Sequence, residues 1–512
     1  MVYCRCVKFR IDMNNHLLSR RQVAKMGAAV AAVSSVKAGP ENPAVVAAMK
    51  SAQAAVPKAE ADPNRPVYHF HPPANWNNDP NGTVWYKGWH HLFYQYNPYG
   101  AVWGNMHWGH ARSRDLVNWE HLPIALWPSK ENGEDHVFSG AAIDGTDGRP
   151  WVFYTSIGNR PPEQWLAVPE DDDLIEWRKH PANPILTLKI HGATNVNEWR
   201  DPFLFREGGK TYMVCGGNLR QSGARGAVQL YEATSPDLTA WKYRGPVFEY
   251  RDRAVHNIEC PNLFRIGAKW VLLISPHKPC EYFVGDLDLA RAKFIPETHG
   301  VLDAGRSYAS NISFDGTGRC ILWLWGQTNT NPEMGWNGVM TMPRILSVGD
   351  DGFLRQTPAA EFQTLRAENN TLPAIALNNR SVSLSDRVSG DCLEFDAEFA
   401  ADSATSMGLR GRCAPGGKAG LEIAFSPASG ELSVGTARTS VSLGKTIRLH
   451  GFLDKRVVEV YANDGEAAIF TTTDAGPDSI GVEAFAAGGN ARLVSLRSWS
   501  LKPAKFNMDR FR

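Results

Sequence analysis

Between Tyr86 and Trp325 one design recurs five times: a short turn holding glycine, then an aromatic or β-branched run. The copies are YKGWHHLFYQY around Gly88, TDGRPWVFYTS around Gly148, EGGKTYMVCGG around Gly209, IGAKWVLLIS around Gly267 and GTGRCILWLW around Gly318. Each reads as a β-hairpin feeding a strand, and a spacing of about 50 to 60 residues is that of a repeat architecture. A second pattern keeps phase with the first. SRDLVNWEHL at Ser113, DDLIEWRKHPANPIL at Asp172 and SPDLTAWKYRGPVF at Ser235 share Asp-Leu-x-x-Trp, with a looser copy, DLDLARAKF, at Asp286. Five multi-stranded copies without helical periodicity predict a five-bladed β-propeller, whose closure removes exposed sheet edges. A long β-sandwich is the competing arrangement, but it gives no reason for two patterns to stay in phase.

The repeat stops near residue 355. From GDCLEFDAEFAA to NARLVSLRSWSLK, short strands alternate with Gly, Asn and Asp turns, most clearly in LHGFLDKRVVEVYANDGEAAIFT. This predicts a C-terminal β-sandwich. The fold class is therefore all-β, with the propeller over 65–352, a linker over 353–373 and the sandwich over 374–505. Residues 1–60 differ. Paired Arg20 and Arg21 in SRRQVAK precede an Ala-rich run, a pattern resembling a bacterial twin-arginine export signal and flexible leader, with Met13 as an alternative start and AQA at Ala52–Ala54 as a cleavage site. The expected location is periplasmic or extracellular, without membrane anchoring.

A net charge of +1 gives no reason for a nucleic-acid partner. The 17 tryptophans fit either a β-rich core or platforms for sugar rings. The eight cysteines show no metal-ligand spacing; Cys392 and Cys413 are a candidate pair. His69, His71, His90, His91, His107 and His110 cluster in sequence without a ligand motif, so no metal and no cofactor is expected.

Three acids share one position relative to the repeat. Asp79 lies in NWNNDPNG before the first hairpin, Asp201 in EWRDPFLF before the third and Glu259 in IECPNLF before the fourth, each with a proline one or two residues on. Any one alone reads as a turn acid; their common phase in a propeller points them at one central cavity.

WNNDPNG, FYQYNP, WGNMHWGHARSRDLVNWEHLP, FSG, WRDP, ECPNLF, YFVGDLD and GWNGVMTMPR resemble, in order, the motifs of glycoside hydrolase family 32, the invertase, inulinase and levanase group. The resemblance runs from about His71 to Arg344 and continues in LDKRVVEVYANDGEA. It implies a propeller plus sandwich and a retaining β-fructofuranosidase acting on sucrose or fructans such as inulin and levan. It places Asp79 as nucleophile, Glu259 as acid/base with a raised pKa, and Asp201 as transition-state stabiliser. Trp76, Asn78, Gln95, Trp103, Phe138, Ser139, Arg200 and Trp336 match its substrate contacts. Asn77, where many members carry methionine or isoleucine, and RDPFLF depart from the pattern on the side that sets substrate preference. Alternatives are a fructosyltransferase or endo-fructanase on the same fold, and a propeller that binds carbohydrate without catalysis. An intracellular sucrose-6-phosphate hydrolase is disfavoured by the export pattern.

Overall fold

A computed structural model describes residues 42–511 apart from 221–222 and 416–419. Arg20, Arg21, Met13 and the Ala-rich run after them lie outside the described residues.

Five four-stranded antiparallel blades follow one another along the chain. The first is β1 (Asn75–Tyr86), β2 (Trp89–Asn97), β3 (His107–Ser113) and β4 (Trp119–Leu126). The second is β5 (His136–Asp144), β6 (Pro150–Ile157), β7 (Glu163–Pro169) and β8 (Trp177–Lys179). The third is β9 (Val196–Glu207), β10 (Lys210–Leu219), β11 (Arg225–Ala233) and β12 (Trp241–Glu249). The fourth is β13 (Glu259–Ile266), β14 (Lys269–Ser275), β15 (Glu281–Asp288) and β16 (Lys293–Val301). The fifth opens with β17 (Ser307–Phe314) and β18 (Cys320–Gly326). After the short β19 (Trp336–Asn337) and β20 (Val339–Met340) it ends with β21 (Arg344–Val348) and β22 (Leu354–Pro358). The first strands of successive blades pack side by side, and β17 closes onto β1.

Both sequence patterns have a local cause. Gly88, Gly148, Gly209, Gly267 and Gly318 each sit at positive φ in the hairpin joining the first two strands of a blade, a conformation that favours glycine. In the Asp-Leu-x-x-Trp turns, Leu116, Leu174 and Leu238 adopt φ of 63, 58 and 56°. The indole N–H of Trp119, Trp177 and Trp241 donates to those leucine carbonyls at 3.3, 2.7 and 2.8 Å. All six side chains are buried, so apolar burial and a satisfied polar tip hold each strained turn.

The propeller runs to Pro358, because β22 completes the fifth blade, and the sandwich begins at Arg366. The expected linker over 353–373 thus shrinks to the stretch carrying the 3₁₀ turn Ala360–Leu365. The sandwich stacks a seven-stranded and a six-stranded sheet over one apolar core. Cys392 and Cys413 are free thiols, not a pair. At the chain end, Phe506–Asn507 returns to pair with β4.

The two domains are joined by a buried polar cluster. His69 sits between Asp454 (2.9 Å) and Glu459 (3.2 Å), and Arg344 binds Asp303 (2.7 Å) and Glu459 (3.0 Å), all fully buried. Burial works to lower the His69 pKa, but its paired carboxylates outweigh it and raise it to about 9. Burial works to raise that of Glu459, yet Arg344 and His69 bring it down to about 2.

The leader expectation fails for its last third. Pro43–Glu60 is an α-helix, α1, capped by Asn42, whose side chain accepts from the Ala44 N–H at 2.9 Å, with Pro43 in its first turn. Val45, Ala48, Met49, Ala52, Val56 and Ala59 form one buried face, packed on residues of the propeller and sandwich. The Ala content suits a helix as well as a leader, and the 3.6-residue spacing of the buried face decides between them. AQA at Ala52–Ala54 therefore lies inside α1, not in an open cleavage site.

Candidate active site

The first strand of every blade is irregular at one level. Register shifts interrupt β1 between Asn77 and Pro80, β5 between Val137 and Gly140, β9 between Arg200 and Phe203, β13 between Glu259 and Asn262, and β17 between Tyr308 and Ser310. Asp201, Cys260 and Ala309 take φ of 60, 45 and 50°. Bulges re-aim side chains, and proline, which has no N–H for the ladder, fits a bulge. This is the physical content of the Asp-Pro, Asp-Pro and Cys-Pro pairs. The turn reading and the site reading of NWNNDPNG describe the same object. Gly140 is required behind Ser139, because a Cβ there would stand 1.9 Å from the Phe153 carbonyl oxygen.

The bulges gather the three acids. Asp79 Oδ2 accepts from Ser139 Oγ at 2.6 Å, and Asp79 Oδ1 from the Asn78 amide at 3.0 Å. The Cys260 thiol touches Asp79 Oδ2 at 3.5 Å and Asp201 Oδ2 at 3.6 Å. Asp201 Oδ2 also accepts from the Cys260 N–H at 2.9 Å. Glu259 is bound through Oε1 by Arg200 and through Oε2 by the Tyr308 hydroxyl at 2.6 Å. Arg200 is anchored in turn by Glu198 at 2.9 Å.

Charge separates the acids. Burial raises the Asp79 pKa, against the Ser139 and Asn78 hydrogen bonds. Burial, with the nearby charges of Glu259 and Asp79, pushes Asp201 up to about 7 against the pull of Arg200. Glu259 runs opposite to the expectation of a raised value. Burial works upward, but the Arg200 charge and the Tyr308 hydrogen bond outweigh it and hold the carboxyl below its usual range. Arg200, matched to a substrate contact but also readable as the partner of a nearby acid, here pairs with Glu259; Tyr308 was not foreseen.

The expected contacts divide. Trp76 is half-buried, and its indole N–H donates to Asn78 Oδ1 at 2.7 Å. Gln95 is buried and donates to the Val137 carbonyl at 3.0 Å, with Ser139 Oγ at 3.4 Å. Trp103 is 52% exposed, its ring 5.2 Å from His136 and 6.2 Å from Phe138. Trp336 does not join them. It is 1% exposed, packs with Val56 and Ala59 of α1, and donates to Asp62 at 2.9 Å. The helix α1, expected as part of a leader, packs against it and leaves it buried. Asn81, in a glycosylation-like Asn-Gly-Thr, is fully buried. Of the clustered histidines, His91 and His110 pair at 3.0 Å within the first blade, while His69 serves the domain junction.

The model of the glycosyl hydrolases family 32 N-terminal domain matches residues 69–358, and that of the C-terminal domain matches 361–500. The chain belongs to glycoside hydrolase family 32. It is 31% identical over 510 residues to the levanase of Bacillus subtilis, covering 87% of this chain and 72% of that protein. It is 29% identical to a sucrose-6-phosphate hydrolase of Zymomonas mobilis, covering 86% and 92%. Among solved structures, fructan 1-exohydrolase IIa from Cichorium intybus superposes with a TM-score of 0.79 at 26% identity, covering 87% of this chain and 99% of that one. As a family 32 glycoside hydrolase, the chain has the propeller read from its repeats and the sandwich read from the alternating strands and turns after them.

Proposed function

We propose that this protein is a retaining β-fructosidase that removes terminal β-D-fructosyl residues from sucrose or fructans, as an invertase or exo-fructanase. The convergence of Asp79, Asp201 and Glu259 on three bulged inner strands carries the reading. Asp79 attacks the anomeric carbon of the fructosyl unit while Glu259 donates its proton to the departing oxygen, forming a fructosyl ester on Asp79. Glu259 then takes a proton from water, whose oxygen displaces Asp79 and frees fructose. Asp201, fixed by the Cys260 N–H, binds ring hydroxyls as positive charge develops at the anomeric carbon. Ser139 and Asn78 hydrogen-bond the Asp79 carboxylate and oppose the burial that raises its pKa. Because Arg200 and Tyr308 favour ionised Glu259, the incoming leaving-group oxygen must displace part of that pairing before the acid can serve.

The similarity to a levanase and a fructan exohydrolase supports fructan as well as sucrose. The test is a product chromatogram on sucrose, inulin and levan. Free fructose as the sole early fructan product is expected; oligosaccharides would mean endo-cleavage or transfer. Asp79→Asn and Glu259→Ala should each lower kcat by about a thousandfold, and full activity in either would sink the assignment. The paired arginines at Arg20 and Arg21 support export; recovery of activity only from the cytoplasmic fraction would refute it.

A further inference from the structure

We propose that Asp62, just beyond α1, is a positioning residue of the active site, acting through Trp336 on the strand that carries Asp79. The proposal rests on the reading of Asp79 as nucleophile. Asp62 Oδ2 accepts the Trp336 indole N–H at 2.9 Å, and its other oxygen accepts the Asn64 N–H at 2.9 Å. Trp336 is 1% exposed, so without Asp62 its N–H would be left buried and unpaired. Gly335, at φ 78°, lies so close to α1 that a Cβ there would stand 3.0 Å from Lys58 Cγ and 3.1 Å from the Ala59 nitrogen. The helix and Asp62 thus clamp one short segment from two sides.

That segment holds the start of β1. The Asn75 N–H donates to the Gly335 carbonyl at 2.7 Å, and β19 pairs parallel to β1, Asn75 opposite Trp336 and Trp76 opposite Asn337. Asn75 adopts φ 71°, a conformation its neighbours must enforce. From Trp76 the contacts continue without a break: its indole to Asn78 Oδ1 at 2.7 Å, and the Asn78 amide to Asp79 Oδ1 at 3.0 Å. Trp76 also packs edge-on against Trp325, ring centroids 5.6 Å apart. A shift of Trp336 therefore reaches Trp76 and, through it, the Asn78 amide that hydrogen-bonds Asp79.

The experiment compares the full chain with Asp62→Ala, Trp336→Phe and the double variant, by steady-state hydrolysis of sucrose, inulin and levan across pH and by thermal midpoint. Each single change should raise KM about fivefold while kcat falls less than about twofold, and the double variant should be no worse than either single. The acid limb of kcat/KM should move to higher pH, because a looser Asn78 leaves Asp79 easier to protonate. A lower thermal midpoint with KM and pH profile unmoved would overturn the proposal, as would additive effects in the double variant. Trp336→Phe keeps most of the ring and carries the test if Asp62→Ala does not fold. A wild type that releases no fructose from any of the three sugars overturns the functional reading and this inference with it. An active wild type with unmoved variants overturns this inference alone.

Discussion

At the scale of single residues, the site depends on donors placed against carboxylates. Tyr308 holds Glu259 ionised through a 2.6 Å hydrogen bond. In Tyr308→Phe that support is gone, the Glu259 pKa rises, and the pH profile of kcat/KM should move to higher pH; an unmoved profile would show that Arg200 alone sets the acid. Asn77 tests the opposite case. It is fully buried, and neither amide atom has a hydrogen-bond partner among the described residues. Replacing it with leucine should stabilise the fold by about 1 to 3 kcal/mol, the desolvation cost of an unpaired buried polar group, read as a higher thermal midpoint. A lower midpoint would mean that the amide is satisfied. The three acids were legible because each sits one or two residues before a proline at one phase of the repeat. Tyr308 was not, because nothing in SYASNISF distinguishes a tyrosine aimed at a carboxylate from a core tyrosine. Trp336 was misread for the converse reason: its motif matches a sugar contact, while its surroundings come from a helix some 270 residues away.

At the scale of elements, the blades were readable because their turns carry local chemistry. Glycine at positive φ and a tryptophan that caps a strained leucine are both written within a few residues. Trp177→Phe removes the donor to the Leu174 carbonyl (2.7 Å) while keeping most of the apolar bulk. It should cost about 0.5 to 1.5 kcal/mol without changing KM, since the turn lies at the outer edge of its blade. A change in KM would contradict that separation of frame and site. The helix α1 was hidden because Ala-rich sequence suits an export signal as well as a buried helix, and only the surface it packs on tells them apart. The linker was drawn too long for a similar reason: β22 looks like spacer until β21 is there to pair with it.

At the scale of the molecule, the propeller and sandwich behave as one body, because their junction buries His69, Asp303, Arg344, Asp454 and Glu459 together. Removing one partner from such a cluster leaves charge uncompensated, so His69→Ala should destabilise the protein by about 3 to 5 kcal/mol. The pH dependence follows from the same groups. His69 has its pKa raised from 6.5 to about 9, so its contribution is complete below 6.5 and is lost as pH rises through 9. Glu459 has its pKa lowered from 4.5 to about 2, so its contribution is complete above 4.5 and is lost as pH falls through 2. The thermal midpoint should therefore be highest between 4.5 and 6.5 and fall on both sides; in His69→Ala the alkaline fall should weaken. None of this was visible in sequence, where His69 and Glu459 lie far apart in unrelated motifs. The covalent step on Asp79 distinguishes this mechanism most directly. Wild-type protein turning over sucrose should be quenched in acid, digested and analysed by mass spectrometry. One fructosyl adduct on the peptide carrying Asp79, absent in Asp79→Asn, is the predicted result. An adduct on Glu259 or Asp201 would contradict the assignment of the nucleophile, and inverted configuration in the first-formed fructose would contradict the retaining mechanism itself.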